Sequence, residues 1–186
     1  MSKRWIRGGL AAAVVVAAMF ATVGEGETES SSGGGSETTA VASSQAKPIP
    51  MGTEVEVAKG WTVKVNSANL DAAAEAKKGN EFNSPSPGKQ FVAVNVTITN
   101  KSDQPATPLG NVKLSLLPAS GVAVDSAIVA DYPEEVDTLA QMQPGASVTG
   151  NLVFELPPAD ILTAVMLGQS TFTMDAKKDQ KFFAIR

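Results

Sequence analysis

The sequence predicts an antiparallel β-sandwich of about eight strands, and three observations carry that expectation. The first is the stretch 89–100, KQFVAVNVTITN. There Val92, Val94, Val96 and Ile98 point one way while Phe91, Ala93, Asn95, Thr97 and Thr99 point the other. A period of two in β-branched and aromatic residues marks a half-buried strand. The second is punctuation, since shorter alternating stretches recur between clusters of Pro, Gly, Asn, Asp and Ser, the turn formers. The third is the scarcity of helical pattern. Short strands separated by turns, with little helix, belong in a sandwich. At 43% hydrophobic but only 5% aromatic residues, its core is expected to be built from Val, Leu, Ile and Ala.

Before the strands come two segments of different character. Lys3, Arg4 and Arg7 precede an uncharged Ala/Val run over 8–23. As a helix, that run reaches roughly 24 Å, short of a hydrocarbon core of roughly 30 Å. Residues 1–24 therefore read as an export signal peptide, or as a marginal N-terminal membrane anchor. Thr22-Val23-Gly24 offers a small residue for cleavage. Residues 25–50, rich in Ser, Gly, Thr and Glu, read as a disordered linker, because they bury too little apolar surface to offset ordering entropy. Ser44-Gln45-Ala46-Lys47 matches the S-x-x-K pattern of acyl-transferring serine enzymes, but that chemistry needs a buried helix start. In a linker the match is coincidental.

The folded domain is expected over 51–186. Residues 53–58 and 61–70 alternate around Lys59-Gly60 as a hairpin, with Trp61 filling the core. Residues 71–78 have helical composition, with Asp71 as the expected cap and Gly79 as the stop. After 89–100, strands are expected at 112–117, 122–128, 147–156, 163–167 and 181–185, with Gly150 marking a bulge. Phe91, Phe154, Phe172, Phe182 and Phe183 lie in or beside these strands and read as core. Met51, Met142, Met166 and Met174 are scattered, as gap-filling side chains are, and make no soft-metal cluster.

Composition removes several functions. The chain has neither Cys nor His, which excludes disulfides, thiolate nucleophiles, an ordinary Ser-His-Asp triad, blue copper and His-ligated zinc. Net charge is −4, but three of the fifteen basic residues lie within the first seven positions and every acid lies beyond them. The remainder has twelve bases against nineteen acids, a net of −7. Such a body is a poor partner for nucleic acid, and it meets a membrane only through its N-terminal segment.

Pro87-Gly88-Lys89 opens the valine strand, Thr99-Asn100 closes it, and Pro144-Gly145 precedes GNLVFELP at 150–157. Together these resemble a domain-of-unknown-function family of exported bacterial lipoproteins. That family groups with the secreted mycobacterial immunogenic protein superfamily. The resemblance covers 51–186 and implies an immunoglobulin-like fold and a membrane-tethered or secreted location, usually in Gram-positive bacteria. Its motifs are structural and imply no activity. Lipoprotein members carry a Cys after the signal, where this chain has Glu25, so the resemblance supports export but not lipidation.

One loop stands out as a partner-binding surface: Asp131, Tyr132, Glu134, Glu135 and Asp137, with Leu139 and Met142 beside them. Binding residues concentrate on loops held by rigid scaffolds, and Tyr132 is the only tyrosine. Four carboxylates could also ligate calcium, although their spacing matches no EF-hand and Pro133 fixes the local backbone. A carboxylate pair could run glycoside hydrolysis. The expectation is nonetheless a non-catalytic binding module without metal or cofactor, whose partner is a protein or envelope component at the cell surface. A carboxylate-dependent hydrolase and a passive surface spacer are the alternatives.

Overall fold

The computed structural model describes residues 43–172 and 179–186. The expected signal or anchor at 1–24 lies outside them, as do most of the linker and Met174. Among the described residues the elements run β1 (Glu54–Ala58), β2 (Trp61–Asn69), α1 (Ala73–Gly79), β3 (Gln90–Asn100), β4 (Val112–Leu117), β5 (Val124–Asp125), β6 (Ser147–Leu156), α2 (Pro158–Ile161), β7 (Val165–Ser170) and β8 (Lys181–Phe183). They form two four-stranded antiparallel sheets, β1-β2-β3-β6 and β5-β4-β7-β8.

β3 is central because both of its edges are paired along most of their length. It meets β6 in unbroken register from Gln90↔Leu156 to Thr99↔Ser147. On its other side it meets β2 from Asn69↔Ala93 to Trp61↔Asn100. Val92, Val94, Val96 and Ile98 face the second sheet and join Trp61, Val63, Val65, Leu116, Phe154, Met166 and Phe183 in the main core. Burying each such side chain contributes about 1.5–3 kcal/mol.

The motifs at the strand ends have local causes. Gly88 and Gly145 hold φ of 80° and 84°, the left-handed conformation that the third position of a Pro-Gly turn requires. Asn100 is fully buried, and its Nδ2 donates to the carbonyls of Gln104 and Met142 at 2.9 and 3.0 Å. Its Oδ1 accepts from the backbone N–H and the hydroxyl of Ser102. One amide thus closes the turn after β3 and pins a second loop to it.

Several expectations are corrected. The helix caps on Ala72 without a side-chain hydrogen bond, so Asp71 is not its cap. Within 122–128 only Val124–Asp125 form a strand, and Ile128 is wholly exposed. Phe172 is 82% exposed, not core. The β3–β6 register runs through Gly150 without a bulge. The irregularities lie in β1 between Glu56 and Ala58, and in β2 between Val65 and Ser67, where Asn66 is the extra residue.

Ile49, which lies in the expected linker, is only 2% exposed. Its N–H donates to Phe182 O at 2.7 Å and its carbonyl accepts from Ala184 N at 2.8 Å, a parallel rung on the edge of β8. Ser44 and Lys47 form a tight reverse turn, not the helix start that S-x-x-K chemistry needs. Among the described residues no helix is long and apolar enough to cross a membrane.

Candidate functional site

The loop singled out by its acids is the middle of a strap along the free edge of β6. At one end Ala127 N donates to Val153 O at 2.7 Å. At the other, Asn151 N donates to Glu134 O at 2.7 Å and Val136 N donates to Asn151 O at 3.0 Å. Between these anchors the chain leaves the edge and crosses the outer face of the β3 sheet. There Val129 and Tyr132 pack with Ala72, Ala76, Phe91, Ala93 and Val153 in a second, smaller core.

The strap is held from several directions. Asn151 Nδ2 donates to Pro133 O at 2.9 Å, and Asn83 Nδ2 to Ala130 O at 2.7 Å. A side chain at position 150 would bring its Cβ within 2.6 Å of Val136 N and 2.7 Å of Glu134 O. Glycine there is a demand of close approach. Asp131 and Glu134 both hold positive φ, at 52° and 53°. Such backbone costs of order 1–3 kcal/mol per residue and persists where surrounding contacts over-determine it.

This geometry divides the five expected site residues. Tyr132 is 6% exposed, so it is no aromatic anchor on an open loop, and Met142 is also buried. The ring was drawn inward because α1 and Phe91 offer it an apolar seat. Tyr132 and Glu134 line a cavity on the outer face. Glu135 lines a different one between the sheets. Asp131 lines neither, its backbone lying against Gly79 at the end of α1, and Asp137 Oδ1 caps its own turn by accepting from Leu139 N at 2.9 Å. The acids are therefore dispersed, and among the described residues no three converge to hold a metal ion.

The cavity between the sheets has a volume of about 360 Å³. Ile98, Leu114, Val136 and Leu152 give it an apolar lining, and Leu109, Thr138 and Thr171 stand around it. Leu109 N donates to Thr138 O, and Thr171 Oγ1 to Leu109 O. These bonds gather three exposed apolar side chains, Leu109, Leu139 and Phe172, to one end of the sandwich. Asp125 also lines the cleft, with Lys113 Nζ at 3.1 Å and the Ser115 hydroxyl at 2.8 Å. The Ser115 hydrogen bond, more than Lys113, holds the Asp125 carboxyl below its ordinary pKa against the opposing effect of burial.

The outer cavity is of similar size, about 390 Å³, and its polar side chains include three asparagines, Asn69, Asn95 and Asn151. Asn66 Nδ2 donates to Asn95 Oδ1, Asn95 Nδ2 to Asn151 Oδ1, and Asn151 Nδ2 to Pro133 O, each at 2.9–3.0 Å. This amide ladder crosses β2, β3, β6 and the strap. Burial, with the nearby Glu75 carboxylate adding to it, raises the Tyr132 pKa above the ordinary phenol value. The phenol therefore keeps its proton at neutral pH.

A family model described as "Domain of unknown function (DUF4352)" matches residues 50–178. The chain belongs to this family. Among solved structures, a conserved hypothetical protein from Bacillus anthracis is similar at 14% identity and a TM-score of 0.51, over 73% of this chain and 95% of that one. An uncharacterized β-sandwich protein from Clostridium difficile matches at 13% identity and a TM-score of 0.44, over 75% and 95%. The secreted protein MPT63 from Mycobacterium tuberculosis matches at 15% identity and 0.44, over 74% and 95%. No curated protein matches. The DUF4352 membership and the β-sandwich bear out the expected family and fold. At such identities the likeness reaches no further, and function has to be argued from the cavities of the DUF4352 domain.

Sequence reasoning found the loop but neither cavity. Leu109, Leu114 and Leu152 carry no signal that separates a cleft lining from core. Asn95 and Asn151 did carry one, an amide at an outward position on each of the two most regular strands.

Proposed function

We propose that this DUF4352 chain is an exported, non-catalytic binding module acting at the cell surface or envelope, and that the cleft between its sheets receives the ligand. The observation that carries this reading is the cleft itself, a space of about 360 Å³ between β6 and β4 in which apolar side chains stand beside Lys113, Asp125 and Glu135. Such volumes fall within the roughly 300–1,000 Å³ typical of small-ligand sites. The basic start and the uncharged run after it support export, with residues 1–24 as a signal or anchor and the Ser/Gly/Thr/Glu-rich segment from residue 25 as a tether.

Carboxylate chemistry is the weaker reading. A general acid needs a carboxyl pKa pushed upward. Among the described carboxylates with a resolved shift, Asp125 and Glu155 both move down. Glu155 does so because Ser86 N–H donates to it, with Lys89 Nζ at 3.5 Å.

A photo-crosslinking residue placed at Leu109 tests the reading in the native host, with Val122 as the control. Val122 lies beyond the other end of β4, about 17 Å away along the strand. A partner captured from position 109 and not from 122 supports binding at the cleft. Silence at both sites makes the domain a spacer, and turnover of envelope polysaccharides or esters by the purified chain makes it a hydrolase.

A further inference from the structure

The outer face of the second sheet carries an inference that does not depend on the cleft. There Leu117 stands opposite Val165, and Leu167 stands between Ser115 and Phe182. Strand alternation settles which way they point. Leu116, Met166 and Phe183 belong to the main core, so their neighbours Leu117, Val165, Leu167 and Phe182 face outward. Four adjoining outward positions are therefore apolar. On the first sheet the uncovered outer positions are Asn95, Thr97, Thr149 and Asn151, all polar.

Val165 and Leu167 are each only 5% exposed, yet neither belongs to the two cores described above. Ser115 beside them is 2% exposed. Flanking strands shield an outward side chain from the sides and leave its tip to solvent, as on any sheet with one face bare. Exposures this low mean that something lies across the face.

We infer that the occupant is a segment of this same chain, Ala40-Val41-Ala42, docked against Phe182 and Leu167. The first described residues deliver the chain to this face. Ser43 Oγ accepts from Phe182 N at 3.0 Å, and Gln45 Nε2 donates to Leu117 O at 3.3 Å. The length fits, since three extended residues reach about 10 Å, about two strand spacings, which is the span from the β8 edge to β7. The composition fits as well. Between Glu25 and Ser43 the only Ala, Val, Leu, Ile, Met or aromatic residues are Ala40, Val41 and Ala42, directly before the point of contact. A tether seated in this way leaves the domain from the face of β7 and β8. The cleft beside β5 and β6 is then left clear for a partner.

The test uses the chain as recovered from its host, carrying either Val41→Cys or Ser31→Cys. The natural chain has no cysteine, so each variant holds a single thiol of known position. In the native chain, position 41 is expected to react with a maleimide about tenfold more slowly than position 31, the scale of protection that burial of one small apolar side chain gives. In urea the two should react alike. Leu117→Ser or Phe182→Ser, at half-buried positions of the face, should each remove the protection of position 41 while the sheet signal in circular dichroism stays that of the parent. Equal labelling of 41 and 31 in the native chain overturns the inference. Protection that both face variants leave in place also overturns it, because the segment then sits elsewhere. Protection that disappears on dilution overturns it too, since a second copy then supplies the cover. A direct reading guards against variants that fail to fold: methyl NOEs between Val41 and Leu167 are expected in the isotope-labelled parent chain, and their absence overturns the inference.

Discussion

The two faces of β3 come from alternate residues of one strand, yet they are finished differently. The inner face, Val92 to Ile98, is apolar and buried throughout, and opens only at Ile98, which lines the cleft between the sheets. The outer face changes halfway. Phe91 and Ala93 lie under α1 and the strap, whereas Asn95, Thr97 and Thr99 form cross-strand hydrogen bonds to Asn151, Thr149 and Ser147. An inner face can be completed by a second sheet. An outer face is completed by whatever loop is long enough to return to it, and the polar cavity lies at the boundary where that cover ends.

The difference can be broken most forcefully from inside. Phe154→Ala should cost about 3–5 kcal/mol, because the inner face has no room to relax into the cavity it leaves. A denaturant midpoint unchanged by that substitution would contradict the packing described here. Gly150→Ala acts at the edge between the faces and should cost about 1–3 kcal/mol, with the strap displaced from β6. Faster amide exchange at Val136 and Asn151 would report it. On the outer face, Asn95→Ala should cost only about 1 kcal/mol, the net worth of a hydrogen bond, and should loosen Asn66 and Asn151 together. The smallest effect is in acid. Asp125 and Glu155 have pKa values lowered by folding, so their contribution is present above the ordinary carboxylate pKa of about 4 and is lost as the pH falls through their folded values. Urea midpoints compared at neutral and acid pH should show a shallower decline for Asp125→Asn with Glu155→Gln than for the parent chain.

The same contrast explains what was legible in the sequence. Period-two alternation locates β1, β2, β3, β4 and β6 to within a residue, because which way a strand residue faces is set locally. Turn chemistry locates Pro87-Gly88 and Pro144-Gly145 for the same reason. What covers an outer face is decided by distant parts of the chain. Tyr132 in an acidic loop reads as exposed, since nothing nearby reveals that Ala72, Ala76 and Phe91 wait to receive it. Gly150 reads as a bulge because the sequence around it is strand, while its real neighbours, Glu134 and Val136, lie on another segment. Phe172 reads as core by its type and is not. Asn95 was visible as a polar residue but not as a rung, because the ladder exists only once β2, β3, β6 and the strap are side by side.

The rungs at Ile49 and Asn151 have a consequence for the chain in company. A sheet edge with unpaired N–H and C=O groups is a template on which a second molecule can add a strand. Here β6 is lined by the strap and β8 by Ile49, while β5 is two residues long. The remaining edge, β1, is irregular beyond Glu56 and presents Glu54 and Glu56. No long, flat, uncharged edge remains among the described strands, so the domain offers a second copy little template on which to add a strand.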